Sequence, residues 1–298
     1  MAHPSDATPP AQDAAWMATC LRLAARGLGN AWPNPAVGCV VVKDGRCVGR
    51  GWTQPGGRPH AEPEALNRAG AAARGATAYI SLEPCAHWGR TPPCTNALIE
   101  AGVGRVVTAI EDPDPRVAGA GHAQLREAGI PVTENVRRGE AEWLNAGFFS
   151  RIRAGRPLVA LKLAQSLDGR IATASGESRW ITGPEARAVG HRLRAEHDAI
   201  MVGSGTAHAD DPELTCRLAG LEHRSPVRVV VDARASLSPV SRLARTAREV
   251  PTWLITGEDA ATGPLADAGV RILRVATDGA GHVDVAAGLR ALAAEGIT

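Results

Sequence analysis

The sequence predicts an α/β protein built as two successive domains. Three observations carry this. Short apolar, β-branched runs alternate with helix-period segments, the pattern of a sheet covered by helices. The length of 298 residues suits two ordinary domains. The alternation breaks at Ala154-Gly155-Arg156-Pro157 and then starts again. The expected organisation is a disordered tail over 1–12, a first domain over 13–155 and a second over 156–298. No internal repeat relates the halves.

In chain order, residues 1–12 are polar and proline-rich, which suits a disordered tail and not a signal peptide. Residues 13–28 place Trp16, Cys20, Leu23 and Ala24 on one helical face, and Gly27 and Gly29 stop the helix. The loop Pro33-Asn34-Pro35-Ala36-Val37-Gly38 is stiffened by its prolines. Residues 37–42 read as a buried strand, Lys43-Asp44-Gly45-Arg46 as a hairpin turn and 46–52 as the returning strand. A Gly/Pro-rich loop over 54–59 then delivers His60. Helices are expected over 62–73, 94–101, 121–128 and 143–153, with strands over 76–82, 105–110 and 130–134. In the second domain strands are expected over 158–164, 199–202, 227–232, 252–256 and 270–275. Helices are expected there over 184–196 and 285–294.

Composition narrows the function classes. The formal net charge is +2 and aromatic residues make up 3%, so neither a basic footprint nor a stacking surface for nucleic acid is expected. No apolar run approaches the roughly 20 residues of a membrane span. A cytoplasmic enzyme is expected, where disulfides are rare and clustered cysteines point to metal. Cys20, Cys39, Cys47 and Cys216 read as small buried residues.

The chemistry concentrates between His60 and Cys94. His60-Ala61-Glu62 is followed by Pro84-Cys85 and, after eight intervening residues, by Cys94. One His and two Cys supply three zinc ligands and leave a fourth tetrahedral position open for water. Zn2+ lowers the pKa of such a water towards neutrality. Glu62 is then placed to shuttle protons without binding metal, as in the zinc deaminases. Cys94 precedes a helical run, where backbone N–H groups stabilise a thiolate. A closed structural site needs a fourth ligand, for which His87 is the nearest candidate; otherwise His87 is a substrate contact.

With these residues in view, the stretch Leu82-Glu83-Pro84-Cys85-Ala86-His87-Trp88-Gly89-Arg90-Thr91-Pro92-Pro93-Cys94 resembles the riboflavin-biosynthesis pyrimidine deaminases. The long gap between cysteines separates it from cytidine and tRNA-adenosine deaminases. The loop carrying Asn34 matches the same family. The resemblance implies a cytidine-deaminase-like α/β/α sandwich with zinc on His60, Cys85 and Cys94. It makes Glu62 the proton donor and acceptor and Asn34 a pyrimidine contact. Arg90 and Thr91 become candidates for the ribose phosphate, a role that suits a guanidinium.

The stretches Leu161–Arg170 and Ser175–Gly183, with Thr206–Thr215, resemble the reductase half of the same bifunctional enzymes. The resemblance implies a dihydrofolate-reductase-like α/β domain that uses NADPH. It places Ala164, Trp180, Thr206 and Asp210 against the cofactor, and Ser178, Arg194, Leu214 and Arg217 against the substrate. Alone, Gly203-Ser204-Gly205 is only part of a dinucleotide fingerprint and reads more readily as a plain turn. The family's pattern continues into a strand and a glycine-rich loop beyond Thr298, so this domain reads as incomplete and a poor reductase as given. The expected partner is a small phosphoribosyl pyrimidine, in a homo-oligomer that binds neither nucleic acid nor membrane. Two other readings stay open: a zinc deaminase of a base in RNA, and a deaminase whose second domain only dimerises.

Overall fold

The computed structural model describes residues 11–178 and 180–298. Contacts divide the chain into a unit running through Arg156 and a unit from Pro157 to Ile297. Residues 1–10 of the expected tail lie outside the described residues. Ala11 and Gln12, assigned to that tail, instead open the first helix.

The first unit runs α1 (Ala11–Ala24), β1 (Gly38–Lys43), β2 (Arg46–Trp52), α2 (Ala61–Ala69), β3 (Thr77–Ile80), α3 (Cys94–Glu100), β4 (Arg105–Thr108), α4 (Ala120–Glu127), β5 (Val132–Thr133), α5 (Arg138–Leu144) and α6 (Ala146–Ala154). Its sheet has the order β2-β1-β3-β4-β5. β1 pairs antiparallel with β2 and β3, whereas β3, β4 and β5 are parallel. The β1–β2 turn takes positive φ at Asp44 (50°) and Gly45 (72°), the handedness that a two-residue hairpin demands. Val40, Val41, Ala78, Ile80, Val106 and Val107 lose all solvent contact in the core.

Glycines let two helices approach this sheet closely. A Cβ on Gly38 would stand 2.1 Å from the Cys20 carbonyl oxygen of α1. Cβ atoms on Gly49 and Gly51 would stand 2.2 and 2.3 Å from the Ala65 and Ala61 oxygens of α2. Gly51 pairs with Cys39, the neighbour of Gly38, and adjacent strand residues face opposite ways. The two helices therefore cover opposite faces, which makes the α/β/α sandwich.

Two expectations for this unit need correction. The closing helix over 143–153 is two helices, α5 and α6, parted at Asn145. The buried Asn145 side chain is drawn away to clamp Ala36, accepting from its N–H (2.9 Å) and donating to its C=O (3.0 Å). Cys47 is exposed, not buried, because it lies on the edge strand beside the hairpin turn and a register shift at Val41/Val42.

The second unit runs α7 (Pro184–Glu196), β6 (Ala199–Gly203), α8 (Ser204–Asp210), β7 (Val227–Val231), α9 (Arg242–Arg245), β8 (Thr252–Gly257), α10 (Gly263–Asp267), β9 (Arg271–Val275) and α11 (Val285–Ala294). The four strands form a parallel sheet in the order β6-β7-β8-β9. Val230, Leu243 and Leu254 are fully buried in its core. Arg228 of β7 is also buried; it donates to the carbonyls of Glu213, Leu243, Thr246 and Val250 and to the Thr246 hydroxyl. Burial holds its pKa down to about 10.

The strand expected over 158–164 does not form. Leu158, Val159, Leu161 and Leu163 are exposed, and the segment has no helix or strand. A strand needs a neighbour to take its N–H and C=O groups, and no described strand lies against this one. Propensity alone does not hold such a segment in a sheet. Conversely, the Gly203-Ser204-Gly205 stretch, read as a turn, starts α8.

A buried ion pair ties α1 to the first sheet. Arg105 donates through both terminal nitrogens to Asp13 (3.0 and 2.7 Å), and the Tyr79 hydroxyl adds a third bond (2.8 Å). Burial pushes the Asp13 carboxyl up, but these bonds outweigh it and hold the group below the usual range. Asp13→Asn is expected to cost about 2 kcal/mol in urea unfolding at pH 7, since Arg105 stays partly solvated. A lowered native pKa stabilises above the unfolded value, near about 4. The difference between variant and wild type should shrink as pH falls below that value.

Candidate metal centre and cleft

His60 caps the start of α2 with its backbone still extended (φ −70°, ψ 167°), and helical geometry follows from Ala61. His60 and Glu62 therefore turn towards one cleft, which two residues inside a helix would not do. Cys85 follows the end of β3, and Cys94 opens α3. These elements bring His60 Nδ1, Cys85 Sγ and Cys94 Sγ within 4.8 Å of one another. His60 Nδ1 lies 3.3 Å from Cys94 Sγ and 3.7 Å from Cys85 Sγ. Zinc bonds of about 2.0–2.3 Å in a tetrahedron set ligand atoms about 3.5 Å apart, so the donor set fits zinc. His87 is not in this cluster, so the alternative of a fourth ligand gains no support. It lines the cleft instead, and its buried Nδ1 has no hydrogen-bond partner.

The electrostatics suit a metal. A hydrogen bond from the Cys94 thiol, then His60 and the Cys94 backbone N–H (3.3 Å), bring the Cys85 thiol down to about 4 against the opposing effect of burial. Cys94 is pushed up reciprocally, because its thiol serves Cys85 and is itself buried. Burial also pushes the Glu62 carboxyl up, with His60 opposing. Glu62 is 4% exposed and is not a member of the ligand cluster.

The ligands sit at one wall of a cleft of about 310 Å³, lined also by Asn34, Glu62, Arg90 and Asp112. Asn34 donates to the Gly57 carbonyl (3.0 Å), and its amide nitrogen stands 3.3 Å from His60 Nε2. A Cβ on Gly57, whose φ is 83°, would stand 2.7 Å from Asn34. Thr53 supports the same loop, donating to the Pro35 carbonyl and accepting from the Val37 N–H. Thr91 lies beside the cleft and accepts from Arg58.

The comparisons with known proteins agree with this geometry. The family described as the cytidine and deoxycytidylate deaminase zinc-binding region matches residues 10–110. The RibD C-terminal domain family matches 157–298. The riboflavin biosynthesis protein RibD of Escherichia coli (strain K12) is 48% identical over 286 residues, covering 92% of this chain and 76% of that protein. The chain belongs to the RibD family. Among solved structures, the Thermotoga maritima diaminohydroxyphosphoribosylaminopyrimidine deaminase/5-amino-6-(5-phosphoribosylamino)uracil reductase is 39% identical. It superposes with a TM-score of 0.84 and covers 96% of this chain and 79% of that one. Acinetobacter baumannii RibD is 41% identical, with a TM-score of 0.84 and coverage of 96% and 78%. This RibD-family chain is thus an enzyme of riboflavin biosynthesis, with a zinc-dependent deaminase domain and an NADPH-dependent reductase domain.

The residues expected in the RibD reductase half fall into three places. Ala164, Ser178 and Trp180 lie in the irregular segment that precedes α7, and Ser178 and Trp180 are exposed. The Arg187 guanidinium stands 4.4 Å over the Trp180 ring. Thr206 and Asp210 are exposed on α8. Arg194, Leu214 and Arg217 come together: Arg194 donates to the Thr215 carbonyl (2.8 Å), and the Arg217 backbone N–H donates to His191 (3.2 Å). Burial and then the nearby Arg217 lower the Arg194 pKa. Among the described residues no hydrogen bond or ring contact joins Ala164 or Trp180 to Thr206 or Asp210.

Sequence reasoning passed over Glu83, Asp112 and Asp114. Asp112 lines the cleft and is pushed up to about 7, by burial first. Asp114 is held below its ordinary value by its hydrogen bond to Arg116. Glu83 is buried and receives four backbone N–H groups, from Asp112 (3.2 Å), Gly119 (3.0 Å), Gly121 (2.8 Å) and His122 (3.2 Å). It thereby ties the Pro84-Cys85 turn to the start of α4. A lone Glu two residues before a ligand gives no hint of this in the sequence.

Glu83→Gln replaces one acceptor oxygen by a donor facing those N–H groups. Supports of this kind change metal affinity by about 10- to 100-fold. Chelator competition should therefore strip zinc from the variant at about tenfold lower chelator. Wild-type zinc affinity in the folded variant would dismiss the support role.

Proposed function

We propose that the first unit deaminates 2,5-diamino-6-(5-phosphoribosylamino)pyrimidin-4-one to 5-amino-6-(5-phosphoribosylamino)uracil, with zinc held by His60, Cys85 and Cys94. The observation that carries this reading is a buried carboxyl, Glu62, in the same cleft as a three-ligand cluster that it does not join. Bound zinc supplies activation of a water molecule at neutral pH. Glu62 takes the proton of the attacking water and delivers it to the ring nitrogen as water adds to the aminated carbon. It then carries the hydroxyl proton to the departing amino group, which leaves as ammonia while the ring carbonyl forms. Asn34 orients the pyrimidine ring, and Arg90 and Thr91 hold the phosphate side.

In the second unit, bound NADPH would supply the hydride for reduction of the ribosyl group to a ribityl chain. Ala164, Trp180, Thr206 and Asp210 hold the cofactor, and Ser178, Arg194, Leu214 and Arg217 hold the substrate. The adjacency of Arg194 and Arg217 supports this, since paired guanidiniums suit a phosphate. The reading places the protein in the cytoplasm as a homo-oligomer acting on free small molecules. No helix among the described residues is long and apolar enough to cross a membrane. A cleft of about 310 Å³ is of the size that takes a small molecule.

An ammonia-release assay on the diamino pyrimidine phosphate tests the deaminase reading. Chelator should abolish release, and added zinc should restore it. Glu62→Gln should retain zinc and lose about a thousandfold in turnover. A zinc-loaded Glu62→Gln protein with near wild-type turnover would remove Glu62 from the role.

A further inference from the structure

Two cations at the rim of the cleft, Arg58 and Arg90, have no carboxylate partner among the described residues. Three neighbouring charges are already engaged. Arg116 is paired with Asp114, its Nε donating over 2.9 Å. The Glu83 carboxylate is taken by backbone N–H groups. Arg58 and Arg90 therefore stand side by side at a polar cavity without a carboxylate to pair them, a local condition for holding an anion.

Arg58 is placed for that purpose. It lies two residues before His60, on the loop that delivers the ligand, and is half-buried. One terminal nitrogen donates to the Thr91 hydroxyl at 2.5 Å. A Cβ on Gly89 would stand 3.3 Å from the other terminal nitrogen. The guanidinium thus lies across the Gly89–Thr91 stretch, next to Arg90 in sequence. Among the described residues, Thr91 is the one protein acceptor for its five N–H donors. Thr91, accepting from Arg58, keeps its own hydroxyl proton available to donate.

We infer that Arg58 is a second phosphate-binding arm, which holds the 5′-phosphate of the substrate together with Arg90 and the Thr91 hydroxyl. This rests on the reading of the cleft as a phosphoribosyl pyrimidine site. Arg58 then decides specificity: it favours the phosphorylated substrate over the same pyrimidine carrying unphosphorylated ribose. It also couples the ends of the substrate, because one short segment carries both the phosphate arm and the zinc ligand. A guanidinium suits this better than an ammonium, since it bonds Thr91 and a phosphate oxygen together in one plane.

The test compares kcat/KM for the phosphorylated and dephosphorylated pyrimidines in wild type, Arg58→Ala and Arg58→Lys, with zinc content reporting the folded site. The ratio of the two values should fall about tenfold in Arg58→Ala, mainly through KM, and recover in part in Arg58→Lys. Inorganic phosphate should raise the Tm of wild type, and less so that of Arg58→Ala. Equal losses on both substrates would make Arg58 a loop tie to Thr91 and overturn the assignment, as would an unchanged ratio. If wild type releases ammonia from neither pyrimidine, the deaminase reading falls. The phosphate-dependent Tm shift then still judges Arg58, and an identical shift in Arg58→Ala overturns it.

Discussion

Contact between α2 and the edge of the first sheet sets the position of the reacting groups. Gly49 and Gly51 present bare backbone to α2, so the helix rests directly on β2. Any side chain at either position would stand within 2.3 Å of a helix carbonyl. The start of that helix carries His60, a member of the candidate metal cluster, and the carboxyl of Glu62. That contact helps fix where His60 stands relative to Cys85, whose Sγ lies 3.7 Å from its Nδ1. Packing density in a protein interior leaves little slack for such an arrangement to drift.

Around this contact the remaining parts are held by polar clamps. Asn145 grips both backbone groups of Ala36 and breaks a helix to do so, which steadies the loop carrying Asn34. Glu83 gathers four N–H groups and steadies the turn carrying Cys85. Each clamp buries polar atoms that are worth little singly once satisfied and expensive when left unmade. Two loop segments of the site are thus fixed by hydrogen bonds to distant parts of the chain. Burial of Glu62 completes it, because a carboxyl removed from water holds its proton more readily.

The second unit follows a different logic. Its sheet is all parallel, so its strands must be joined by crossovers, and its core forms between β7, β8 and the short helices. The buried Arg228 spends its charge on carbonyl oxygens and locks the segments after β7 to the strand. In the segment before α7, Leu158, Val159, Leu161, Leu163, Leu167 and Ile171 face solvent. Expected cofactor and substrate residues are split among the group around Arg194, the exposed face of α8 and the irregular segment around Trp180. The chain spans 76% of the length of the Escherichia coli relative and 79% of the Thermotoga maritima chain.

The sequence by itself determined the α/β class, most of the elements and the His, Cys and Cys that the fold gathers into one cluster. These are local matters: β-branched runs, helix periodicity, a hairpin turn and ligand types at a telling spacing. Pro184–Glu196 and Val285–Ala294 emerged with the bounds that their periodicity implies. What depends on partners distant in sequence was not legible. The run 158–164 has strand composition and no neighbour, so it is not a strand. Helix periodicity over 143–153 could not foresee that Asn145 is claimed by Ala36, 109 residues away. Nor does any local pattern reveal that Glu83 serves the start of α4 or that Arg58 lies across Thr91. Only the tertiary structure decided which polar atoms meet, because a hydrogen bond depends on proximity in space and not along the chain.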